Sequence, residues 1–130
     1  MKARGDPGSG RVVTIEEFFA GRDESRRIYD AICATVYDVG PAAVRVGKSQ
    51  IAFRRRIGFA FVWVPGVYLP RASIPLVLTI GLRRRDHSPR WKELVEPAPG
   101  RFTHHLELTD PADVDGEVRE WLREAWEAAA

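Results

Sequence analysis

The middle of the chain alternates between apolar and polar positions. Leu76, Leu78, Ile80 and Leu82 recur at every second position, a period typical of a strand with one buried face. The same criterion, together with the turn residues between the apolar runs, predicts strands at residues 43–46, 50–55, 59–64, 75–83 and 101–108, with a weaker one at 92–96.

Helical spacing replaces this alternation towards both ends. Thr14 with Glu17 forms a capping-box pattern that predicts a short helix ending at Gly21. A longer helix follows, capped by Asp23 or Ser25 and stopped by Gly40 and Pro41. Its apolar stripe consists of Ile28, Tyr29, Ile32, Cys33, Val36 and Tyr37.

The last helix is predicted to open at Asp110 and Pro111, or only at Asp115 because Gly116 weakens the first turn. Its stripe consists of Val114, Val118, Trp121, Leu122 and Ala125. The order of elements predicts the α+β class: a single compact domain over residues 13–130. We expect a mostly antiparallel sheet of about five strands, with the N-terminal and C-terminal helices packed on one face. Residues 1–12, rich in Gly, Pro and Arg, are expected to be a disordered tail.

The stretch from Gln50 to Val64 allows two hairpin registers. A two-residue turn would place arginines and aromatic rings on one face, as a stacking platform requires. A three-residue turn at residues 56–58 suits a closing glycine better, because a β-branched isoleucine resists positive φ. This second register puts Phe53 opposite Phe61 and predicts that Phe61 is buried.

Charge is unevenly distributed along the chain. Residues 45–101 carry twelve Lys or Arg against three acidic residues, and residues 102–130 carry two against eight. A basic centre indicates an anionic partner such as nucleic acid. In the alternative interpretation, the basic centre and the acidic end neutralise each other within the fold. Cys33 is the single cysteine, and no apolar run reaches membrane-spanning length, so a cytoplasmic location without membrane association is expected.

Candidate binding residues follow from this charge. Two arginine triplets close predicted strands, and Trp91 stands between Arg90 and Lys92 as a stacking candidate. The sequence Gly-Lys-Ser at residues 47–49 forms a turn whose N–H groups and ammonium suit a phosphate. His105 falls on the polar face of its strand and His104 on the apolar face. The candidate binding residues are Lys48, Ser49, Arg54, Arg56, Arg83, Arg85, Arg90, Trp91 and His105.

Several sequence blocks form a recognisable set: the run VGKSQIAFRRRIGFAFVWVP with Lys48, Ser49, Ile51 and Phe53, VGP upstream and FTHHLEL downstream. Together these blocks resemble a bacterial family of domains of unknown function, family 5655. The resemblance extends from about Thr14 to the end and implies a compact α+β domain. Members of the family occur alone or appended to other domains, including nuclease-like ones. The resemblance implies no reaction, cofactor or catalytic residue.

Three functional hypotheses follow. The first is a non-enzymatic binding or accessory domain for nucleic acid or a phosphorylated small molecule. The second is a protein-interaction domain with a protein partner or a homodimer. The third is a metal-independent enzyme built around His105, Glu107 and Lys48. Nucleotide-loop, zinc and nucleophile-elbow motifs are absent, so no catalytic residue, metal or cofactor is assigned.

Overall fold

A computed structural model describes residues 13–67 and 74–130, so the expected disorder of residues 1–12 lies outside the described residues. The α-helices are α1 (Ile15–Phe18), α2 (Asp23–Val39) and α3 (Gly116–Ala128). The strands are β1 (Ala43–Val46), β2 (Ile51–Arg54), β3 (Gly58–Trp63), β4 (Leu76–Leu82), β5 (Glu93–Ala98) and β6 (Arg101–Leu108). Short 3-10 turns occupy Pro65–Val67 and Pro111–Asp113.

The strands form one antiparallel sheet in the order β1-β2-β3-β4-β6-β5. The α+β class is confirmed, with six strands in the described residues rather than about five. The additional strand is β5, the weakly predicted one. It lies at the edge of the sheet and, among the described strands, pairs with β6 alone. The weak apolar pattern agrees with its exposure, since every residue of β5 is exposed or only partly buried.

Helices α2 and α3 contact each other and β4, which places the helices on one face of the sheet, as predicted. The core beneath α2 and α3 is made of Ile28, Ile32, Val36, Val62, Leu76, Leu78, Ile80, Val118 and Leu122. Tyr37 is 53% exposed, so its predicted place in the apolar stripe is wrong. It lies in the last turn of α2, where the neighbouring Val36 faces the core instead.

The helix ends follow the sequence with two corrections. The Thr14–Glu17 capping box of α1 is present. The N-cap of α2 is Arg22 rather than Asp23 or Ser25, and Ser25 instead donates its hydroxyl to the Pro75 carbonyl at 2.6 Å. Asp110 caps only the short 3-10 turn, and α3 begins at Gly116 with Asp115 as its N-cap.

The β2–β3 hairpin adopts neither of the two predicted registers. Phe53 pairs with Ala60, and Arg54 pairs with Gly58, so β3 contains one extra residue, Phe59, at this point. The extra residue is a β-bulge, which shifts the pairing beyond it by one position. The turn lies at residues 55–57, where the Arg55 N–H donates to the Ile57 carbonyl at 3.0 Å.

The bulge separates the three aromatic residues of β3. Phe59 is buried in the core at 2% exposure. Phe61 pairs with Ala52 instead of Phe53, and therefore lies on the face away from the helices, as Trp63 does. Both side chains are partly exposed, so the prediction that Phe61 is buried is wrong.

Candidate functional site

The face of the sheet opposite the helices, called here the open face, carries a continuous row of side chains. Directly opposed residues in an antiparallel sheet point to the same face, so the strand register defines the row. The row consists of Arg45, Ala52, Phe61, Thr79, His105 and Glu93. A parallel row beside it consists of Trp63, Val77 and Glu107.

Phe61 and Trp63 form one side of a shallow hollow on the open face. Its volume is about 420 Å³, and its lining consists of Ser49, Gln50, Phe61, Trp63, Thr79 and His105. Because the two rings are two residues apart on one strand, they stand on the same face about 7 Å apart along the strand. The hollow thus combines two flat apolar surfaces with hydroxyl, amide and imidazole groups.

His105 is held in place by the residue opposite it. Thr79 Oγ1 lies 2.8 Å from His105 Nδ1, and Thr79 itself is only 6% exposed. This hydrogen bond occupies Nδ1, so Nε2 is the nitrogen available to a ligand. The Thr79 contact is the side-chain hydrogen bond that His105 makes among the described residues.

Lys48 and Ser49 lie in the turn between β1 and β2, and Ser49 lines the hollow. The turn between β1 and β2 is closed by the Gly47 N–H, which donates to the Gln50 carbonyl at 2.8 Å. Both side chains are exposed, and Ser49 lines the hollow together with His105. The fold therefore brings together two candidate binding residues that are far apart in sequence, Ser49 and His105.

Gly58 allows an arginine and an aromatic ring to meet on this face. A Cβ atom at Gly58 would lie 2.9 Å from Phe61 Cζ and 3.7 Å from Arg54 Nη1, so both side chains converge over the glycine. Arg45, Lys48 and Arg54 form no ion pair within residues 13–67 and 74–130. Arg45 and Arg54 lie on the open face by their strand pairing, and Lys48 is exposed in the turn that follows β1.

Both arginine triplets reach the C-terminal end of α3. Arg55 lies 3.7 Å above the Trp126 ring and donates to the Trp126 carbonyl at 3.0 Å. Arg83 donates to the Ala128 carbonyl at 3.1 Å, and the Arg56 N–H donates to the Ala129 carbonyl at 2.9 Å. Cations at this position satisfy the last carbonyls and oppose the negative end of the helix dipole.

Part of the basic centre is neutralised within the fold, as the alternative interpretation holds. Arg84 binds both carboxylate oxygens of Glu124, at 2.8 and 2.9 Å, which raises the pKa of the Arg84 guanidinium. Arg85 pairs with Glu96 at 3.1 Å, with its guanidinium 4.9 Å from the Phe102 ring. These pairs are partly exposed, so each contributes on the order of 0–1 kcal/mol.

Arg90 and Trp91 stabilise the helical side of the molecule. Arg90 contacts Asp115 at 3.0 Å and Glu117 at 2.8 Å, and the Glu117 hydrogen bond raises its pKa. The Trp91 ring packs against Trp121 at 4.1 Å and His104 at 4.8 Å. This packing attaches the Trp91 ring to α3, and the residue remains partly exposed.

His104 occupies the buried face, as predicted, and is fully inaccessible. Its Nε2 accepts a hydrogen bond from the Asp86 N–H at 3.0 Å, and burial lowers its pKa below the ordinary value. Burial alone would raise the pKa of Asp86. Hydrogen bonds from Trp91 and Arg84 lower the pKa of Asp86 by more than burial raises it, so the net effect is a lowered pKa.

Other kinds of site find no support in the part of the chain that the structure describes. Within it, no three His, Cys, Asp or Glu side chains are grouped as metal ligands. No helix in that part is long and apolar enough to cross a membrane.

The fold defines a small α+β domain with one face of the sheet covered by α2 and α3 and the opposite face left uncovered by them. The chain belongs to the family described as a domain of unknown function (DUF5655), whose model matches residues 15–129. Comparison with curated proteins and with solved structures gives no match.

Proposed function

We propose that this protein is a binding domain that accepts single-stranded nucleic acid on its open face. The observation that carries the proposal is the pairing of two partly exposed aromatic rings, Phe61 and Trp63, with three cations that form no ion pair among the described residues. Stacking platforms for single strands combine these two components.

Each component has a separate role. The rings of Phe61 and Trp63 stack on two successive bases, and each stack is worth about 1–3 kcal/mol. Arg45, Lys48 and Arg54 neutralise phosphates along the strand. Three phosphate contacts correspond to a slope of log K against log salt of roughly −2 for a single strand.

The polar groups of the hollow supply hydrogen bonds. His105 presents Nε2 and Ser49 presents its hydroxyl, both beside the aromatic rings. These groups suit the polar edge of a stacked base or a phosphate oxygen. The proposed activity needs neither a metal nor a cofactor, and we place it in the cytoplasm on the basis of the single cysteine, Cys33.

Fluorescence anisotropy with labelled single-stranded DNA and RNA of about ten nucleotides tests the proposal, with duplexes of the same sequence for comparison. We expect single strands to bind more tightly than duplexes, and Phe61→Ala and Trp63→Ala each to weaken binding at least about fivefold. Tyr37→Ala is the matched control, because Tyr37 is an exposed aromatic residue on α2. It should leave the affinity unchanged.

Two results would contradict the proposal. One is the absence of binding at low salt, where electrostatic attraction is strongest. The other is an affinity that Phe61→Ala and Trp63→Ala leave unchanged, which would exclude the open face as the binding surface.

A further inference from the structure

A second concavity adjoins the open face at the end of the sheet near the C-terminal end of α3. It is a groove of about 780 Å³ between the β2–β3 turn, the end of β4 and the β5–β6 hairpin. Its floor is apolar, with Ile57, Leu82 and Phe102 from the sheet side and Ala125 from α3.

Three arginines from separate segments line this groove: Arg56 from the β2–β3 turn, Arg83 directly after β4, and Arg101 at the start of β6. No acidic side chain is among the described residues that line it. Arg56 Nε donates to the Ala130 carbonyl at 3.0 Å, and Arg83 Nη2 donates to the Ala128 carbonyl at 3.1 Å. A guanidinium has five N–H donors, so each of these two retains donors for an anion.

Arg101 is the least engaged of the three. It is exposed, and no hydrogen bond or ion pair involves its side chain among the described residues. The groove therefore contains three positive charges, against the partial negative charge of about one half at the end of α3. Its electrostatics favour an anion.

The wall of the groove is low on the side of the open face. Gly81 contributes no side chain there, and the nearest atom to a Cβ at that position would be the Phe59 carbonyl oxygen at 3.7 Å. Phe61 lines both the groove and the hollow on the open face. The two concavities therefore meet at one aromatic ring.

We infer that the arginine groove is the phosphate channel of the nucleic-acid site, so that the ligand is an oligonucleotide strand rather than a mononucleotide. This inference rests on the proposed function. The strand would stack bases on Trp63 and Phe61 and then pass its next phosphates to Arg101, Arg83 and Arg56. The path from Trp63 to Gly58 spans all six residues of β3, which is five steps or roughly 17 Å and longer than one nucleotide.

The test measures affinity as a function of ligand length and charge. Binding of unlabelled oligonucleotides of one to six nucleotides is measured by competition, for the wild type and for Arg101→Gln. We expect the affinity to rise steeply from one nucleotide to three or more. Arg101→Gln should lower the affinity for longer strands about fivefold at 0.1 M salt and reduce the slope of log K against log salt by about 0.7. The affinity for a mononucleotide should be unchanged.

Two further variants distinguish the loss of a positive charge in the groove from the loss of a positive charge elsewhere on the surface. Arg27→Gln removes an exposed arginine of α2 on the helical side and should change neither affinity nor slope. Arg83→Gln should repeat the effect of Arg101→Gln, with thermal denaturation to confirm that the end of α3 remains folded.

The outcomes distinguish the two proposals. If Phe61→Ala weakens binding while Arg101→Gln and Arg83→Gln leave affinity and slope as in the wild type, the phosphate channel is refuted and the stacking face stands. Equal affinity for mononucleotides and longer strands refutes it as well. If no strand of any length binds, the proposed function fails and the channel fails with it.

Discussion

Phe53 and Phe61 lie on opposite faces of the sheet, and replacing each by alanine measures how differently the two faces are packed. Phe53 is fully buried beneath the helices, with its ring 6.1 Å from that of Tyr29. Phe61 is partly exposed on the open face. A buried Phe→Ala substitution costs about 3–5 kcal/mol, because it removes the transfer free energy and leaves a cavity. At a partly exposed site such as Phe61 the cost is smaller, about 1 kcal/mol.

Urea denaturation followed by far-ultraviolet circular dichroism measures both variants. With a denaturant slope of about 2 kcal/mol per molar, the midpoint should fall by about 2 M for Phe53→Ala and by about 0.5 M for Phe61→Ala. A Phe61→Ala variant destabilised as much as Phe53→Ala would place both rings in one core. The β-bulge and the open aromatic face would then be wrong.

Three further predictions concern the supporting structure. Gly40→Ala should lower the free energy of unfolding by about 1–3 kcal/mol in urea denaturation, because the added Cβ would lie 2.3 Å from Trp126 Cζ2. Gly116→Ala is the control: its added Cβ meets no atom within 4 Å, so it should not destabilise the protein. Asp115→Ala should cost about 1 kcal/mol by removing the N-cap of α3, and an unchanged melting temperature would contradict this. Burial lowers the pKa of His104 below 6.5, so below that pH the unfolded state binds a proton that the native state does not. The free energy of unfolding should therefore fall by up to about 1.4 kcal/mol per pH unit as the pH drops below 6.5, a dependence that His104→Leu should reduce in denaturation series.

The architecture was largely predictable because it depends on local periodicity. The alternation in β4 and β6 and the stripes of α2 and α3 determine which side of each element is apolar. The assignment of His104 to the buried face and His105 to the accessible face followed from strand geometry alone.

The candidate site was less predictable because it depends on pairing. One extra residue at Phe59 moves Phe61 and Trp63 from the expected core to the open face, and no local pattern in β3 distinguishes a bulged strand from a regular one. Arg45, Thr79 and Arg101 were missed because only the register aligns them with these rings and with the groove.

By itself the sequence determined the α+β class, the approximate places of the helices and strands, and the contrast between a basic centre and an acidic end. The tertiary structure decided which charges are neutralised internally and which face outward. Arg84 and Arg90 find acidic partners on or beside α3, whereas Arg54 reaches the open face beside Phe61. The physical reason is that the sequence specifies which residues are charged, whereas packing between elements distant in the chain determines which oppositely charged residue each of them contacts.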